Sequence, residues 1–187
     1  MHISLFTLYH SSVFQKNLFP TYNFILYSMD LKALHLKLQE MRQSFFNEGY
    51  LNCQYTQIEA LEKDSSPYFI VEIITLYFRD SPNVIAALEH ELAREPIELP
   101  KITKCINRLK SSSASIGAIK INNELEKANI LLQAGNVEGM KEAVRRIKKE
   151  HSELRAKFET YFQFLAYSFL CQLMRRAGPT EQAVNSS

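Results

Sequence analysis

Between residues 140 and 165 the apolar side chains recur every three or four positions: Met140, Val144, Ile147, Leu154, Phe158, Tyr161 and Leu165, with His151 on the same line. That spacing draws one stripe along an α-helix and fits no strand register. A one-striped helix buries its stripe against a neighbouring element, and because the spacing is helical almost throughout from Met29 and strand-like alternation is scarce, an all-α architecture is expected. Leu31, Leu34, Leu38, Met41 and Phe45 repeat the pattern up to Gly49, and Leu51, Tyr55, Ile58 and Leu61 make a shorter second helix. The run Asp64, Ser65, Ser66, Pro67 offers a capping serine with proline in the first helical position. It predicts a third helix over 67–80 despite the β-branched run "FIVEIIT". "DSP" at 80–82 repeats that start signal and predicts a fourth helix carrying Val84, Ile85, Leu88 and Leu92. Pro96 and Pro100 bracket a short connection, and a long fifth helix is expected from about Lys101 to Ala134, closed by "AGN". Six helices with short connections describe an antiparallel bundle.

Composition narrows the function. At 187 residues, one well-buried domain is the default. A formal net charge of +2, from 22 basic and 20 acidic residues, gives no basic platform for nucleic acid. Cys53, Cys105 and Cys171 are far apart and show no CxxC spacing, so neither a disulfide scaffold nor a zinc site is expected. His2, His10, His35, His90 and His151 form no ligand pair, and no metal or other cofactor is expected.

The first 28 residues differ from the rest, with Lys16 as their single charged side chain and many aromatics. They lack the basic start and small-residue cleavage site of a secretory signal, and their apolar runs are too short to span a membrane. Met29, in "MDLKAL", reads as an alternative initiator. Residues 1–28 are therefore expected to be a poorly ordered extension, 29–174 the helical domain, and the polar 175–187 a flexible tail.

The stretch "NRLKSSSASIGA", residues 107–118, carries the chemistry. On a wheel of 100° per residue, Ile102, Cys105, Leu109, Ser112, Ser113, Ile116 and Lys120 fall at roughly 140° to 240° from Asn107, the apolar or small side. Thr103, Lys110, Ser111, Ala114 and Ala118 fall within roughly 60° of Asn107, so that residue centres an outward face of small or cationic neighbours.

This stretch resembles the signature H-Q-[LF]-K-G-S-S-[AS]-S-[IV]-G-A of plant histidine-containing phosphotransfer proteins. "FNEGYLN", "SSPYFIVEIITLYF" and "LEHEL" fit the same family, and the resemblance runs from about Met29 to Gln172. It implies a four-helix bundle core whose surface histidine takes a phosphoryl group from a receiver-domain aspartate and passes it on. Lys110 matches the family lysine beside that histidine, and Ser112, Ser113 and Gly117 match small residues that permit close approach. The departures lie at the reactive centre, where His is replaced by Asn107, Gln by Arg108 and Gly by Ser111.

A neutral imidazole nitrogen has a free in-plane lone pair that attacks phosphorus. The amide nitrogen of Asn107 has its lone pair delocalised into the carbonyl, so it donates hydrogen bonds and is a very poor nucleophile. The chain is thus similar to the pseudo members of the family and is expected not to be an enzyme. The resemblance implies a monomer in the cytoplasm and nucleus, in the cytokinin type of multistep phosphorelay. Its partners would be receiver domains of hybrid histidine kinases and response regulators, with no nucleic acid and no membrane. Docking through Thr103, Asn107, Arg108, Lys110, Ser111 and Ala114 without accepting phosphate would make it a negative regulator. Two alternatives stand beside this: an active mediator using another residue, and an adaptor that has lost receiver binding. The serines of "SSSAS" read as packing residues because no base is placed to activate them. His151 reads as a core-edge histidine, and His35 and His90 as surface residues.

Overall fold

The computed structural model describes residues 31–62 and 68–177, with side chains through residue 173. The expectations for residues 1–28, for the helix start at 64–67 and for the tail beyond 177 lie outside the described residues. Among the described residues there are six helices: α1 (Leu31–Asn47), α2 (Cys53–Leu61), α3 (Phe69–Leu92), α4 (Leu99–Ser115), α5 (Ile119–Gln133) and α6 (Val137–Ala177). The all-α bundle expected from the apolar stripes is the fold found, and α6 continues three residues past the expected domain end at 174.

The described residues divide into two compact units: Glu40–Phe162, and a second drawn from those before Glu40 and after Phe162. The larger unit holds the main core, in which Ile102, Ile106 and Leu109 of α4, Leu88 of α3, Leu125 of α5 and Ile147 of α6 have no exposed surface. Phe158 of α6 is its aromatic centre, with ring centroids of Phe45 at 4.6 Å, Tyr55 at 5.8 Å and Phe78 at 5.9 Å. Truncating such a ring to alanine costs about 3–5 kcal/mol.

The count of six agrees with the sequence reading, but two boundaries do not, and their errors cancel. The expected break at "DSP" is absent, since α3 runs through Pro82. Ser81 does not cap a new helix; its hydroxyl donates back to the Tyr77 carbonyl at 2.6 Å within the same helix. Conversely, the expected long helix from Lys101 to Ala134 is two helices, α4 and α5, divided at Ile116–Ala118. Gly117 has φ +74°, a left-handed conformation that glycine adopts without steric penalty. Gly117 N donates to Ala114 O at 3.0 Å and Ala118 N to Ser113 O at 2.9 Å, the paired bonds that close a helix end. The same pair of bonds closes α1 at Gly49 and α5 at Gly135.

The two motifs singled out in the sequence meet at this break. Asn52 N donates to Gly117 O at 3.1 Å, Ile119 N to Tyr50 O at 3.0 Å, and Leu51 and Ala118 form an antiparallel bridge. Asn52 also caps α2, its side chain accepting from Gln54 N at 2.9 Å. "FNEGYLN" thus packs its end against the break between α4 and α5.

Candidate docking face on helix α4

The face around Asn107 lies within the unit Glu40–Phe162. Pro100 stands in the first turn of α4, and Ile102, Ile106, Leu109 and Ser113 turn inward. That leaves Lys104, Asn107, Arg108, Ser111, Ala114 and Ser115 exposed, while Thr103 and Lys110 are half-buried at one edge. Three assignments from the ideal wheel need correction. Ala118 is buried rather than outward because the helix stops before it. Lys120 is not a core residue: it is half-buried, with Nζ 3.7 Å from the Tyr50 ring centroid. Ile106, on neither side in the sequence reading, is fully buried.

Each flank of the face meets a neighbouring helix. On one side Lys110 pairs with Glu126 of α5. There Asn122, with its amide turned to match its neighbours, donates to Lys110 O and accepts from Ala114 N, both at 3.1 Å. On the other side Arg108 lines a groove with Ile73, Leu76 and Asp80 of α3 and Ser112 and Ser115 of its own helix. Asp80 accepts from Arg79 Nε at 2.9 Å. That bond chiefly holds its carboxyl below the ordinary range, with Arg108 adding a smaller share. Asn122, Glu126 and Asp80 were not singled out from the sequence. They come from other helices, and no spacing within α4 points to them.

Beneath the face runs a buried polar chain. Tyr77 Oη and Ser113 Oγ are 2.9 Å apart, and Ser81 Oγ lies 2.7 Å from His151 Nε2. Because the single Ser81 hydroxyl proton goes to Tyr77 O, Ser81 accepts from His151, whose Nε2 therefore carries the proton. Burial pushes the imidazole pKa down to about 4, with Arg155 adding to the effect, so the ring is neutral. Burial likewise pushes the Tyr77 phenol up to about 12. His151 is 6% exposed and packed against Tyr77 and Phe78, a core residue as expected and out of reach of a phosphoryl donor. His35 and His90 are exposed.

At position 107 itself the side chain is an exposed amide. It offers donors and an acceptor to an incoming surface and no nucleophile.

An exposed helix face of small and cationic residues, carried by six helices, defines the class: an all-α helical bundle. The chain matches the Hpt domain family over residues 72–157. Pseudo histidine-containing phosphotransfer protein 2 of Oryza sativa subsp. japonica is 32% identical over 84% of this chain and 99% of its own length. Histidine-containing phosphotransfer protein 4 of Arabidopsis thaliana is 38% identical over 62% of this chain and 91% of its own. The crystal structure of a maize histidine-containing phosphotransfer protein superposes with a TM-score of 0.68 at 30% identity, covering 72% of this chain and 98% of that one. The chain belongs to the plant histidine-containing phosphotransfer family of phosphorelay proteins.

Proposed function

We propose that this chain is a pseudo-phosphotransfer protein: it docks on the receiver domains of hybrid histidine kinases and response regulators, accepts no phosphate, and so acts as a negative regulator. The observation that carries the reading is Asn107. It is exposed at the centre of the motif face, while the buried scaffold beneath that face, Ile106, Leu109 and Ser113, is intact. An exposed face on an intact scaffold supports a docking role, and the residue in the middle lacks a nucleophile. The rice relatives named as pseudo proteins support the same reading. We assign it to the cytokinin type of phosphorelay, acting as a monomer in cytoplasm and nucleus, with residues 29–174 as the working domain.

A paired assay on one preparation tests this. Receiver binding is measured by calorimetry, and transfer is measured from a receiver carrying labelled phosphoryl group. Binding without label is the expected result. Label on this chain would mean an active mediator, and absence of binding would mean an adaptor of another kind.

A further inference from the structure

We propose that Arg108 is the cation that anchors the receiver on this face and sets which receivers are chosen, in place of Lys110. The proposal rests on the docking reading above and goes beyond it by naming the partner's contacting chemistry: the acidic, aspartate-bearing end of a receiver domain.

Three observations carry it. First, the two cations flanking Asn107 are differently engaged. Lys110 is committed to Glu126 of α5, across the α4–α5 flank. Arg108 is exposed and forms no hydrogen bond or ion pair among the described residues. An incoming carboxylate must compete with Glu126 for Lys110, whereas Arg108 presents an open guanidinium fork suited to bidentate contact. Second, Arg108 borders a groove whose lining is partly apolar. It shares its groove with Ile73 and with Leu76, which is 45% exposed. A cation on a partly apolar floor is shielded from water once a partner covers it, the setting in which arginine dominates interfaces. Third, the charge around Arg108 is biased. Lys104 stands one turn earlier on the same exposed side, also without an ion pair among the described residues. Asp80, an anion in the same groove that Arg108 also acts on, has its hydrogen bond from Arg79 rather than from Arg108. The flank therefore favours an acidic partner.

The consequence is a shift of the contact towards α3. Receivers with acidic or carboxamide side chains facing the α3–α4 groove would be held, and those with a basic residue there rejected.

The test uses the full chain and purified receivers of one hybrid histidine kinase and one response regulator. Wild type, Arg108→Gln, Lys110→Gln and, as a distant charge control, Lys141→Gln are compared by calorimetry at two salt concentrations, with folding checked by circular dichroism. For Arg108→Gln, affinity should fall about tenfold with a shallower salt dependence, and for Lys110→Gln about twofold; Lys141→Gln should match wild type. Wild-type affinity in Arg108→Gln, or an equal or larger loss in Lys110→Gln, overturns the anchor while leaving receiver docking intact. Failure of the wild-type chain to bind either receiver overturns the docking reading, and the anchor with it. Arg108→Lys separates charge from fork geometry: full recovery would remove the bidentate contact from the proposal.

Discussion

Ser81 of α3 and His151 of α6 are joined by a 2.7 Å hydrogen bond in which the histidine donates. This bond holds a neutral imidazole inside the protein, and protonating it requires a buried charge. The folded pKa is about 4 against an ordinary 6.5. The unfolded chain therefore binds the proton first as pH falls, and stability is lost from about pH 6.5 down to pH 4. Between about pH 7 and pH 5 the expected loss is at most about 2 kcal/mol, measured by urea denaturation. His151→Gln should have a lower baseline stability but a flatter profile over that interval. An unchanged slope in the variant would mean that another group carries the acid sensitivity.

Gly117→Ala should be severely destabilising. A Cβ there would stand 2.7 Å from Asn52 Oδ1 and 2.9 Å from Tyr55 N, and φ is +74°. The expected loss is about 2–4 kcal/mol. Gly135→Ala is the internal comparison, because its φ is also positive, +66°, but nothing lies within 4 Å of the added carbon. It should lose only about 1 kcal/mol, the conformational share. Thermal melts of the two variants side by side measure the difference, which is the close approach of α2 to the end of α4.

Ala114→Arg should abolish receiver binding while keeping the fold. Ala114 is exposed on the same helix as Asn107, and a surface change of this kind usually alters stability by no more than about 0.5 kcal/mol. Ala156→Arg, also at an exposed position on α6, is the control and should bind as wild type does. Equal affinity for both variants would place the interface elsewhere.

Asn107→His should restore at least partial phosphoryl acceptance, because the surrounding face and its buried support remain. Incubation with a phosphorylated receiver should give acid-labile label on this chain. Its complete absence would show that Arg108 or Ser111 has also altered the chemistry.

The stripes of α1 and α6 and the outward setting of Asn107 were legible because helical periodicity alone decides them. The boundaries were not. Ser81–Pro82 has the composition of a helix start, yet the Ser81 hydroxyl is drawn to Tyr77 O and His151 and the helix continues. Gly117 reads as one more small residue after a run of serines, and its backbone angle and the paired hydrogen bonds around it reveal the end of α4. A wheel continued past that point sets Ala118 on the wrong side. The site's partners were beyond reach for a different reason: Lys110–Glu126 and Asn122 on the α4 backbone join residues of separate helices.

Asn107 is exposed, and no hydrogen bond or ion pair within the described residues depends on its amide. Under the reading proposed here, exchanging histidine and asparagine at this position turns signal transmission on or off with about 0.5 kcal/mol or less at stake in folding. Relay and blockade then sit close together on one flat stability landscape, separated by a few surface side chains of which residue 107 is the decisive one. A lineage can cross between them in either direction without ever losing the fold.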